Sequence, residues 1–152
     1  ERWLGREIYY DDMMNIPLVI HLPGFNKNIT RHNVGSQVDL YPTILNLMGW
    51  DRKEIPTFGI DLLGWGKEVD DNAVYPQTYL LKGSFITSDK VFEYSRDGVF
   101  ENSRLIDRKT RKPLPLDEAR KESDWAKICI DYCKNLMTND NLIELVEKNK
   151  ED

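Results

Sequence analysis

Residues 16–22, Ile-Pro-Leu-Val-Ile-His-Leu, form a nearly continuous apolar run that stops at Pro23-Gly24. A strand apolar on both faces is stable only inside a sheet covered on both sides, so the run reads as a parallel strand of an α/β architecture. Pro17 fits near the start of such a strand, where a ladder donor is least needed. Residues 25–35 carry Asn26, Asn28, Asn33 and Gly35 and read as a polar loop. A helix with visible signals follows. Ser36 or Asp39 can accept from its first N–H groups, and Gly49 supplies the left-handed residue after its last turn. Pro42 favours Asp39 as the cap, because the third helical position has no intrahelical use for its N–H. The helix is therefore expected over residues 40–48. Its Ile44, Leu45, Leu47 and Met48 are expected to pack on the sheet that holds the residue 16–22 strand.

The pattern changes after residues 50–72, a stretch rich in Pro, Gly and charge, where a domain boundary is expected. Residues 77–81, 84–88, 91–95 and 103–107 are short strand-like runs split by Lys82-Gly83, Asp89-Lys90 and Asp97-Gly98, the spacing of an antiparallel meander. Residues 117–137 then read as one long amphipathic helix. Trp125, Ile128, Cys129, Tyr132, Cys133, Leu136 and Met137 are expected to form its packing stripe against the meander. Asp140 or Asn141 can cap a final short helix bearing Leu142, Ile143, Leu145 and Val146. The expected organisation is an α/β piece over residues 1–72 and a small α+β subdomain over residues 73–152, a meander packed by a long C-terminal helix.

Charge and composition exclude several functions. With 26 acidic and 21 basic side chains the 152-residue chain carries a formal charge of -5, which repels phosphate backbones and argues against nucleic acid as a partner. No apolar run reaches the roughly 20 residues that a membrane-spanning helix needs. The opening residues contain no initiator Met and no signal-peptide pattern, so the chain is expected to be an internal piece of a longer protein. Cys129 and Cys133 stand four apart and share a helix face, a placement that suits packing better than a disulfide or a zinc site.

The ordered set of Pro23-Gly24, Gln37-Val38-Asp39-Leu40-Tyr41-Pro42-Thr43, Leu47-Met48-Gly49 and Phe58-Gly59-Ile60-Asp61-Leu62-Leu63 resembles the C-terminal part of alkaline-phosphatase-superfamily hydrolases. Phe85-Ile86-Thr87 and Asp97-Gly98-Val99-Phe100 tilt the resemblance toward the sulfatase-like phosphoglycerol transferases of the lipoteichoic acid synthase type. It implies a partial alkaline-phosphatase-like sheet-and-helix layer that holds an active site in shape. It also implies a Thr or Ser nucleophile and a divalent cation, Mn or Mg, bound by an acidic residue and an adjacent Asp-His pair, since such a cation activates the nucleophile and neutralises phosphate charge. This sequence has no Asp-His dipeptide, and no cofactor is expected on this chain itself.

The resemblance therefore implies a fragment inactive alone, partnered by the rest of a catalytic domain. The parent would work on the extracytoplasmic face of a bacterial membrane, moving glycerol phosphate from phosphatidylglycerol to an envelope polymer. A sulfatase or phosphodiesterase of the same superfamily, and a binding module without chemistry, are the alternatives. No residue is expected to be catalytic. Arg31 and His32 follow the C-terminal end of the expected strand, the sheet edge where α/β ligands bind, and are the candidates for contacting a phosphate or glycerol group. An exposed loop with ordinary charges is the competing explanation. His21 reads as a core or sheet-end residue, Tyr41 and Thr43 as helix residues, and the basic run of Arg104, Arg108, Lys109, Arg111 and Lys112 as a solvated hairpin tip.

Overall fold

The computed structural model describes residues 2–3, 6–7, 10–50, 57–64, 72–76 and 80–139, and in it the chain divides into two compact units, residues 1–32 and 33–152. In the first unit a two-residue ribbon pairs β1, Arg2–Trp3, with β2, Arg6–Glu7, antiparallel. The short helix α1, Tyr10–Met14, follows, with Asp11 buried. Residues 15–32 have no regular structure beyond the turn at Pro23-Gly24, where the Phe25 N–H donates to the Leu22 carbonyl at 3.1 Å. The strand expected over residues 16–22 is thus corrected. Val19 is 88% exposed, and Ile16 and Leu18 are more than half exposed. Such a run needs ladder partners and cover on both faces, and no strand among the described residues supplies them. His21, expected in a core or sheet end, is likewise exposed.

The second unit opens with a 3-10 turn, Gln37–Asp39, that runs into α2, Leu40–Leu47. Pro42 falls at the third helical position, as its missing donor requires. The helix closes as a Schellman motif: Gly49, at φ +87°, donates to the Asn46 carbonyl at 3.0 Å and Trp50 to that of Leu45 at 3.1 Å. Its expected packing face is corrected too. Ile44, Leu47 and Met48 are exposed, and the buried side chains are those of Pro42 and Thr43.

Three antiparallel strands follow in the order β3, Phe85–Ile86, β4, Lys90–Glu93, and β5, Arg104–Asp107. Phe85 faces Phe92, and Phe92 faces Leu105. Successive residues point to opposite faces, so the full burial of both Val91 and Phe92 means that β4 is covered on both sides. On one side Phe85, Phe92, Phe100, Leu105 and Ala119 form the core, joined by Tyr75, Tyr94, Leu114 and Leu116. The Phe92 ring lies 5.4 Å from Phe85 and 5.5 Å from Phe100 between centroids, within the range of favourable aromatic pairs. The meander begins differently from expectation. Residues 77–79 lie outside the described residues, Leu80 and Leu81 form no strand, and Val74 instead bridges Ile86 through two hydrogen bonds of 2.8 Å.

A 3-10 turn, Leu116–Ala119, leads into α3, Arg120–Asn139, which lies against β3. Its packing face is rotated from the expected stripe. Ser123, Ala126 and Ile130 are buried; of the expected stripe Leu136 is buried, Cys129 and Cys133 are half-buried, and Trp125, Ile128, Tyr132 and Met137 are exposed. Small side chains explain the rotation: Ala119, Ser123 and Ala126 let the helix approach closely. A Cβ built on Gly83 would fall 3.0 Å from Ser123 Oγ. The final helix expected near residue 142 lies outside the described residues.

Candidate functional site

A connected polar arrangement in the second unit joins the start of α2 to residues 57–64. Asp39, at the end of the 3-10 turn, is buried. Its Oδ2 accepts the Ser36 N–H at 2.7 Å and its Oδ1 accepts the Ile60 N–H at 2.9 Å. Thr43, fully buried one turn later, donates its hydroxyl to the Asp39 carbonyl at 2.6 Å and accepts the Leu62 N–H at 2.9 Å. Asn46, one further turn along, donates to Asp61 Oδ2 at 2.7 Å, while Asp61 Oδ1 accepts the Leu63 N–H at 2.9 Å. Three side chains on one helix edge thus hold alternate residues of the facing segment, 60, 62 and the carboxylate between them. Each buried N–H that finds an acceptor here avoids a penalty of about 1–3 kcal/mol.

Glycine makes this approach possible. A Cβ on Gly59 would lie 2.1 Å from the Val38 carbonyl oxygen, and one on Gly35 would lie 2.8 Å from a Leu62 methyl carbon. Side chain and backbone requirements therefore coincide in Gly35, Ser36, Asp39, Thr43 and Gly59, of which Asp39, Thr43 and Gly59 lie within the blocks that carry the family resemblance. Capping and helix packing were the roles legible for Asp39 and Thr43. The long-range bonds to Ile60 and Leu62 had no local signal.

This clasp is structural in its chemistry. The Thr43 hydroxyl is committed both as donor and as acceptor, and it has no access to solvent, so it is not placed to attack a substrate. Tyr41 is exposed on the outer side of α2. Arg31 is half-buried and His32 exposed, both in irregular chain at the end of the first unit. Among the described residues no group of three or more His, Cys, Asp or Glu could hold a metal ion. The described residues thus offer no ligand set that fits the divalent cation the resemblance implies, and no step is derived through one here.

Other titratable groups serve packing. Tyr75 donates to Glu122 Oε1 at 2.8 Å, and burial together with that carboxylate pushes its phenol well above the ordinary range. Burial raises Cys129, with Cys133 and Glu122 adding to it, and burial raises Cys133. Both shifts favour the neutral thiol over the nucleophilic thiolate. In the basic run, Arg104 grips Glu93 through two nitrogens at 2.6 and 3.0 Å, and Arg108 donates to the Thr87 carbonyl at 2.9 Å. Lys109 and Lys112 are exposed.

The architecture is a mixed α/β domain with a small antiparallel sheet and a long C-terminal helix, consistent with part of an alkaline-phosphatase-like fold. The lipoteichoic acid synthase LtaP of Listeria monocytogenes shares this fold, with a TM-score of 0.66 at 23% identity over 78% of this chain and 28% of that one. No family model matches the chain. It is 30% identical over 148 residues to the lipoteichoic acid synthase of Staphylococcus aureus, 94% of this chain and 20% of that protein. It is also 36% identical over 87 residues to the lipoteichoic acid synthase-like protein YvgJ of Bacillus subtilis, 55% of this chain and 13% of that protein. The chain is homologous to a portion of lipoteichoic acid synthase-type proteins and spans a fifth or less of the length of these two relatives. No helix among the described residues is long and apolar enough to cross a membrane.

Proposed function

We propose that this chain is the C-terminal part of an extracytoplasmic phosphoglycerol transferase, which moves glycerol phosphate from phosphatidylglycerol to a cell-envelope polymer. Its task is to brace an active site built by the preceding part of the same polypeptide. The observation that carries this reading is the similarity to the Staphylococcus aureus lipoteichoic acid synthase, which runs through 94% of this chain. Exposed apolar side chains at Ile16, Leu18 and Val19, and at Tyr41, Ile44 and Met48 of α2, support it as surfaces suited to cover by a larger domain. On this reading residues 1–72 complete the main α/β domain and residues 73–152 form the small subdomain. The nucleophile and the Mn or Mg ligands stand upstream, in a membrane-anchored parent. Arg31 and His32 contact the anionic donor or the growing polymer.

The test uses phosphatidylglycerol vesicles with manganese, and reads release of diacylglycerol. The chain alone is expected to release none, whereas the complete reading frame that encodes it is expected to turn over in a chelator-sensitive way. In that complete enzyme Arg31→Ala and His32→Ala are each expected to lower turnover about a hundredfold, the scale of losing a donor to developing negative charge. Chelator-sensitive turnover by the chain alone would overturn the proposal. Full activity of both variants would remove Arg31 and His32 from the substrate site.

A further inference from the structure

We draw no further inference here: the strongest candidate, the exposed apolar stripe of Trp125, Ile128 and Tyr132 along the outer face of α3, is an unpartnered helix face, and nothing in the structure shows what covers it.

Discussion

The segment around α2 and the meander with α3 both carry many apolar side chains, yet they use them in opposite ways. In the meander, Phe92 has no exposed surface, Leu105 and Val91 retain 1%, and the aromatic rings of Phe85, Tyr94 and Phe100 surround Phe92. Around α2, Val38, Tyr41, Ile44 and Met48 are all more than half exposed. Order there comes from side-chain hydrogen bonds to the backbone of residues 60 and 62. The first region supplies its own core. The second is fastened by polar contacts and presents its apolar area outward, the arrangement expected of a surface that another layer covers.

Removing the centre of the meander core should have the largest effect. Phe92→Ala is expected to cost about 3–5 kcal/mol, the range for deleting a buried aromatic ring, and that is a large share of the roughly 5–15 kcal/mol that holds a typical domain folded. Chemical denaturation of the purified chain measures it. A loss below about 1 kcal/mol would show that the meander is not the self-sufficient region, because surface substitutions already fall in that range.

Next in size is the clasp. Gly59→Ala places a methyl group against the Val38 carbonyl, where only a backbone shift makes room, and about 1–3 kcal/mol of overpacking is expected. Gly49→Ala is its control: nothing lies within 4 Å of the added Cβ, so only the left-handed backbone penalty of about 1–2 kcal/mol applies. Thr43→Val keeps the shape of the side chain but leaves the Leu62 N–H without its acceptor, at about 1–3 kcal/mol. Hydrogen exchange separates these effects from global unfolding. Gly59→Ala and Thr43→Val should speed exchange at the Ile60 and Leu62 amides while β4 amides stay protected. Equal acceleration in both places would mean that the two regions unfold as one, and the contrast between them would fail.

The same contrast explains what could be read from the sequence. Elements set by local chemistry were legible: the Pro42 and Gly49 punctuation of α2, the turns at Lys82-Gly83 and Asp97-Gly98, and the length of α3 all follow from a few neighbouring residues. Which face of a helix is buried was not. Trp125, Ile128 and Tyr132 form the more apolar stripe, yet α3 buries Ser123, Ala126 and Ile130, because close approach to the sheet rewards small side chains. Residues 16–22 show the same limit from the other side. Their continuous apolar character and length specify a doubly covered strand, but a strand exists only with neighbours, and no strand among the described residues pairs with them. The clasp was legible only as an ordered set of blocks, since the bonds from Asp39 to Ile60 and from Thr43 to Leu62 span 21 and 19 residues.

Acid should produce the smallest effect, and it bears on how each region is tied. The meander's turns also lean on carboxylates, but on exposed ones. Asp97 is lowered from the usual carboxylate range by hydrogen bonds from Ser95, Asn102 and the Val99 N–H. Asp107 is lowered by the backbone N–H and then the hydroxyl of Thr110, at 2.6 and 2.8 Å. A carboxyl lowered in the folded state stabilises it fully above its unfolded value, near pH 4, and that contribution fades as pH falls through the lowered folded value. Resonance titration of the two side chains should therefore give midpoints below the ordinary Asp value. Asp97→Asn and Asp107→Asn should each flatten the acid limb of the stability curve while leaving exchange at Ile60 and Leu62 unchanged. Midpoints at or above the ordinary value would show that these turns are held by backbone geometry alone, which would leave the α2 clasp as the region that depends on a carboxylate.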